Sequence, residues 1–345
     1  MNLQLLKALS EAPGISGREE RVREILKKEM KPLFDEVTTD TLGNLIATKK
    51  PAKKNGASAK RVLIACHIDE IGFYVKHIDD KGFVRIHNVG GFDTKNLQAR
   101  RVRVQSSSGE DLFGLMNPTG RPKHIAKDED LKKIPEIGEF CVDLGLPAET
   151  VKKRVRIGDP VTLVQEFSEI GDCVSGKAMD NRVAAFVAIE ALRKAKNPRY
   201  EVIVACTVQE EVGCRGAGVA AYAAEPDIAL AIDVTLAVDT PGVPEEERCT
   251  KQGDGTALTI MDSMTISDRS LIDEFEAIAK KREIPCQLSI LTRGGTDAGP
   301  MQRSRGGFRA MTLSVPTRYI HTVTECIHKR DLQASIDLLA AWLET

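Results

Sequence analysis

No apolar run in the 345-residue chain approaches the ~20 residues that a bilayer-spanning helix needs. There is no basic block, and the formal net charge is −1, which argues against nucleic acid as a partner. None of the eight cysteines (Cys66, Cys141, Cys173, Cys206, Cys214, Cys249, Cys286 and Cys326) forms a C-x-x-C pair, and several sit in apolar runs. That pattern fits reduced, buried thiols rather than a disulfide framework. The N-terminal stretch turns charged early and lacks a signal-peptide core. Together these absences predict a cytoplasmic protein with no membrane attachment. Internal repeats and low-complexity tracts are also missing. Gly213, Gly216 and Gly218 lack the G-x-G-x-x-G spacing of a dinucleotide loop. What remains is a globular composition, 42% hydrophobic and 29% charged, long enough for one large domain or two.

The first segment reads as a helix that turns at Pro13-Gly14. Ser16-Gly17-Arg18-Glu19 has the pattern of a capping box and predicts a second helix through Lys28. A Lys-rich loop follows over residues 49–60. Val62 to Cys66, Val202 to Val208 and Ile228 to Val234 are continuous apolar runs, the pattern of parallel strands covered on both faces. Helical spacing recurs over residues 181–195, 268–282 and 329–343. This alternation predicts a three-layer αβα domain built from residues 1–70 and 166–345. Residues 71–165 differ. Short strand-like pieces (Phe73 to Val75, Phe83 to Ile86, Arg101 to Val104, Val161 to Val164) are separated by Gly and Asp turns, and no helix is expected. This predicts a small all-β domain inserted into the α/β chain.

In an open parallel sheet, sites form at the carboxyl ends of the strands. His67 and Asp69 follow the first run, Glu210 and Glu211 the second, and Asp233 lies within the third. His321 follows the apolar stretch from Gly307 to Pro316, and Asp180 stands before the helix from Asn181. Each has an ordinary explanation alone. A strand-end His is commonly a satisfied polar group, Asp180 could be an N-cap, and adjacent glutamates could be a solvated strand end. Asp233 is harder to explain so, because an unpaired buried carboxylate is costly. One metal site accounts for all of them, and His with carboxylates suits zinc, cobalt or manganese. His77, His87, His124 and His328 have no such context.

The segments A-C-H-I-D-E-I-G (65–72), S-G-K-A-M-D-N-R (175–182), V-Q-E-E-V-G-C-R-G-A (208–217), A-I-D-V (231–234), R-G-G-T-D-A-G (293–299) and P-T-R-Y-I-H-T (316–322) run in order along nearly the whole chain. In them the sequence resembles the tetrahedral-type dinuclear-metal aminopeptidases, the group of glutamyl aminopeptidases and proteins once labelled cellulase M or endoglucanase M. The resemblance implies removal of N-terminal residues from short peptides. It implies two divalent ions, zinc or cobalt with manganese as a further option. One would be held by His67, Asp180 and Asp233, the other by Asp180, Glu211 and His321. Glu210 would be the general base, and Asp69 would orient His67. The same resemblance implies a cis Asp180–Asn181 peptide bond. It also implies a PDZ-like role in dimerisation for the β insert, and dimers that close into a tetrahedral dodecamer.

Three other functions stay open on the residues. A deacylase or carboxypeptidase could share the centre but would need a cationic group for the substrate carboxylate. A glycosidase would use a metal-free pair of acids, leaving His67, Asp233 and His321 without a purpose. A decayed binding protein would be expected to have lost a ligand or the base. Arg293 and Arg318 flank the centre, where they either favour an acidic N-terminal residue or form ordinary salt bridges.

Overall fold

The computed structural model describes residues 1–51 and 59–345. The middle of the Lys-rich loop expected over 49–60 lies outside the described residues. Eleven strands of the described residues form one mixed sheet. At its centre, Glu201–Thr207, Arg61–His67, Ile228–Leu236 and Arg309–Arg318 run parallel. Side chains of a strand alternate between faces, and the core divides accordingly. Val62, Ile64 and Cys66 pack with the helices Leu3–Glu11, Glu20–Met30, Met179–Lys194, Arg269–Arg282 and Lys329–Glu344. Leu63 and Ala65 face the other way, against Ala217, Ala220 and Ala221 of helix Arg215–Ala224 and Ala298 and Met301 of Ala298–Gln302. Apolar cover on both faces explains why these strands read as unbroken apolar runs.

The helix Met179–Lys194 is buried along thirteen of its sixteen residues. Asp180 and Asn181, near its start, have non-helical backbone, so Asp180 reaches the interior from a kink ahead of the regular helix. The helix expected from Ser16 begins later, at Glu20, and has no side-chain cap. Ser16 is engaged elsewhere, as described below.

Residues 72–163 contain a closed barrel of six antiparallel strands. Two of them, Asp111–Pro118 and Phe140–Asp143, were not among the strands expected from the sequence. Helices are also present here, at Asp128–Lys132 and Ala148–Arg154, contrary to the expectation of none. Val151 of the second is buried in the barrel's own apolar core with Phe73, Val104 and Phe140. That core is separate from those of the main sheet. The barrel is tied to the second helix by a bidentate Arg21–Asp111 pair at 2.7 Å.

Candidate metal centre

His67 closes its strand and pairs in register with Thr207, so the segment Val208 to Glu211 emerges beside it. Asp233 lies near the end of the next parallel strand, Asp180 comes in from the central helix, and His321 from the loop after Arg309–Arg318. All meet at the carboxyl edge of the sheet. His67 Nε2 is 3.1 Å from Asp180 Oδ1, 3.7 Å from Asp233 Oδ1 and 3.8 Å from Glu210 Oε2. His321 Nε2 is 3.4 Å from Asp180 Oδ2 and 3.5 Å from Glu211 Oε2. Two triads result, His67–Asp180–Asp233 and Asp180–Glu211–His321, with potential donor atoms in each within 4.8 Å of one another. Asp180 belongs to both and presents one oxygen to each histidine. The Asp180–Asn181 peptide bond is cis.

Two buried carboxylates hold the backbone of this centre. Asp69 accepts the N–H groups of both Glu210 and Glu211, at 3.0 and 3.1 Å, and the Ser16 hydroxyl at 2.6 Å. It also lies 3.6 Å from His67 Nδ1, whose nearer neighbour is the Asp69 carbonyl at 3.3 Å. Glu325 does the same on the other side, accepting the Asp180 N–H at 3.0 Å and the His321 N–H at 2.8 Å. Ala178, Gln209, Cys214, Tyr319 and His321 all have positive φ without being glycine. Such backbone persists where its surroundings over-determine it, and it clusters at functional positions.

Burial opposes a charge on His67, but Glu210, Asp180, Asp69 and Asp233 outweigh it and hold the imidazole well above its ordinary range. His321 is likewise driven up to about 10, against burial, mainly by Asp180 and Glu211. Burial, with Asp180 nearby, raises Glu211 and Asp233 well above the usual carboxylate range despite the histidines. Glu325 is pushed up to about 8 by burial and by Asp180. Asp180 moves the other way: burial would raise it, but His321 and His67 hold it down. Protons thus compensate a cluster in which the carboxylates outnumber the fixed positive charges. Cations would do so better, and the donors are of the right kind. Each triad offers imidazole nitrogen and carboxylate oxygen without thiolate, a set that fits zinc, cobalt or manganese.

The centre opens into a cavity of about 390 Å³ with Val234, Leu236, Leu291 and Ile320 on its apolar wall. Arg293 also lines it, exposed and without an ion-pair partner among the described residues. Arg318 is committed elsewhere, in a bidentate pair with Asp239 at 2.9 and 2.6 Å, so the ordinary salt bridge holds for that residue. The loop that follows strand Val84–Val89 comes close to His321. A side chain at Gly91 would begin 3.6 Å from His321 Nδ1, and one at Gly90, whose φ is +84°, would run into Ile71.

The sequence marks Ser16 only as a helix cap and does not mark Glu325 at all. Ser16 carries a capping signature that its hydroxyl does not fulfil, and Glu325 is an unremarkable residue of the short strand Glu325–His328. His328 caps the last helix, accepting the Arg330 N–H at 3.1 Å.

The family described as M42 glutamyl aminopeptidase matches residues 43–338, and one named AMPT matches residues 1–26. The lysyl aminopeptidase of Pyrococcus furiosus is 33% identical over 352 residues, covering 99% of this chain and 96% of that protein. A TET aminopeptidase from a marine-sediment Thaumarchaeota archaeon superposes with a TM-score of 0.93 at 35% identity, over 99% of this chain and 95% of that one. The TET1 peptidase of Pyrococcus horikoshii, described as assembling into a tetrahedron or a large octahedral shell, gives a TM-score of 0.85 at 32% identity, with 98% of both chains covered.

Proposed function

The chain belongs to the M42 glutamyl aminopeptidase family, and from that premise we propose how this metal-dependent aminopeptidase removes N-terminal residues from short peptides. His67, Asp180 and Asp233 would hold one divalent ion, and Asp180, Glu211 and His321 would hold a second. Zinc or cobalt suits these donors best, with manganese also compatible. When bound, such a pair supplies Lewis acidity and lowers the pKa of the attacking water. Glu210 belongs to neither triad, yet its Oε2 lies 3.8 Å from His67 Nε2. It takes a proton from the water and returns it to the leaving amine, as a general base and then acid. Asp69 fixes His67 and the Glu210–Glu211 backbone, a common arrangement behind a ligating imidazole. The observation that carries this reading is the sharing of Asp180 between two triads, with an unshared carboxylate beside them.

In this reading, residues 1–70 and 166–345 form a discontinuous three-layer αβα catalytic domain. Residues 71–165 form a PDZ-like dimerisation domain. Support for the contact comes from Phe113 and Leu115, which are 60% and 54% exposed on one barrel strand. With the shells formed by the Pyrococcus horikoshii peptidase as precedent, dimers of this chain close into a tetrahedral dodecamer in the cytoplasm. Phe113→Asp with Leu115→Asp should then lower the sedimentation coefficient, and an unchanged value would remove the barrel from the contact.

The activity is tested with free and N-acetylated peptides, with and without chelator. Cleavage of the free peptides alone, abolished by chelator and restored by metal, is the expected result. Preferential cleavage of N-acetylated peptides would favour a deacylase instead.

A further inference from the structure

Glu210 faces two side chains that the reaction above leaves unused. Its Oε1 accepts from the Cys214 thiol at 3.0 Å. Asp297, 2% exposed, stands nearby. Asp297 Oδ2 accepts from the Thr207 hydroxyl, while its Oδ1 is buried with no hydrogen-bond partner among the described residues. Potential donor atoms of Glu210, Cys214 and Asp297 lie within 4.8 Å of one another, and none of the three belongs to the two triads.

Charge balance points the same way. Asp69, Asp180, Glu210, Glu211, Asp233, Asp297 and Glu325 all converge on this edge of the sheet, and two divalent ions offset only four negative charges. Buried Lys177 and Arg182 both contact Glu70, which takes up part of their charge. An orphaned carboxylate oxygen next to a surplus of negative charge is an unmet demand for a cation or a proton.

We propose that Glu210, Cys214 and Asp297 form a third, inhibitory cation site that takes a thiophilic divalent ion, zinc or cadmium, supplied beyond two per subunit. The proposal rests on the two-ion reading above. The incoming ion is held by the Glu210 carboxylate, Cys214 Sγ and the Asp297 carboxylate, and the thiol proton leaves to solvent as the thiolate bond forms. A thiolate with carboxylates selects zinc or cadmium over magnesium or manganese, which prefer oxygen alone. Once the ion is bound, Glu210 is a ligand and no longer accepts the water proton. Turnover should then fall by about 10²–10⁴, the scale of a lost general base.

The test starts from holoenzyme carrying two zinc ions per subunit. Equilibrium dialysis against rising zinc gives the stoichiometry, and a parallel titration with cadmium reads the ultraviolet thiolate-to-cadmium band. The expected result is a third zinc equivalent whose uptake parallels the loss of turnover, together with the cadmium band. Cys214→Ala should stop at two ions, lack that band and resist excess zinc. Cys214→Ser, close in shape, gives the same reading if the alanine variant fails to fold. Asp297→Asn should weaken the third ion at least about tenfold. Saturation of the unaltered enzyme at two ions would overturn the site, as would a third ion that persists in the Cys214 variants or leaves turnover intact. Fewer than two ions in the starting holoenzyme would instead overturn the two-ion reading.

Discussion

His67 and His321 stand on either side of Asp180 but are held by different means. His67 ends a central parallel strand, and its side chain is 2% exposed. His321 sits on a loop with φ of +64°, and its side chain is 38% exposed. The first takes its position from the sheet ladder and from Asp69 beneath it. The second depends on one buried carboxylate, Glu325, with Gly91 close to its ring. The His67 half is therefore stiff by construction, and the His321 half is only as well placed as its hydrogen bonds. The difference predicts that the ion on the His321 side is the weaker bound and the first to leave under chelator.

The largest effect should come from the residue common to both halves. Asp180→Ala removes a donor from each triad. Both ions should be lost and turnover should reach background, read by metal analysis and peptide cleavage. Full occupancy in this variant would refute the shared role. The neighbouring glutamates should separate next. Glu210→Gln is expected to keep two ions and lose about 10²–10⁴ in kcat. Glu211→Gln should lose the ion of the His321 half and recover part of its activity in excess metal. The reverse pattern of metal contents would exchange their roles.

Smaller losses should follow from the two supporting carboxylates. Asp69→Asn and Glu325→Gln should each weaken metal affinity by about 10–100-fold, the usual cost of a lost partner behind a ligand. Asp69→Asn should loosen His67 and the Glu211 amide together, whereas Glu325→Gln should act first on the His321 half, whose histidine amide it holds. Chelator competition on loaded protein distinguishes them, and equal weakening of both ions in Glu325→Gln would erase the contrast. Ser16→Ala should cost about 1.5–3 kcal/mol of stability, because its hydroxyl donates to the Asp69 carboxylate; a melt with an unchanged midpoint would dismiss that bond.

Acidity tests the same contrast without mutation. In the ion-free chain Glu325 is raised from 4.5 to about 8 and His321 from 6.5 to about 10. Each binds its proton more tightly folded than unfolded. Their contribution to stability is full below the unfolded values and is lost as pH rises through the folded ones. Chelator-treated protein should therefore show a Tm that falls between about pH 5 and about pH 10. Metal-loaded protein should show a flatter profile, since the ions replace the protons. A chelator-treated Tm that climbs over this range would contradict the assignment. The smallest effect concerns Arg293, the exposed cation of the cavity. Arg293→Ala should reduce the kcat/KM preference for glutamyl over leucyl substrates by about 1.4- to 5-fold, the worth of an exposed ion pair. An unchanged ratio would leave the apolar wall as the determinant.

Much of the centre is legible in the chain because strand patterns are local. An unbroken apolar run announces a doubly covered strand, and polar residues where such a run ends lie at the sheet's edge. That rule singles out His67, Asp69, Glu210 and Glu211, and the cost of a buried carboxylate adds Asp233. The same local rule misleads where a residue's partner is distant. Ser16 carries a cap signature, yet its hydroxyl bonds Asp69, 53 positions away. Glu325 lies in unexceptional sequence and Asp297 in the segment R-G-G-T-D-A-G, which assigns it no role; only folding brings the first to the Asp180 and His321 amides and leaves the second with an orphaned oxygen. Arg318 and Arg293 read alike until Asp239 takes one of them. Residue type and period alone settle which donors are present and which strand ends carry them. The pairing of the donors around Asp180, and the carboxylates that hold them there, were decided by the tertiary structure, because a hydrogen bond depends on distance in space and not along the chain.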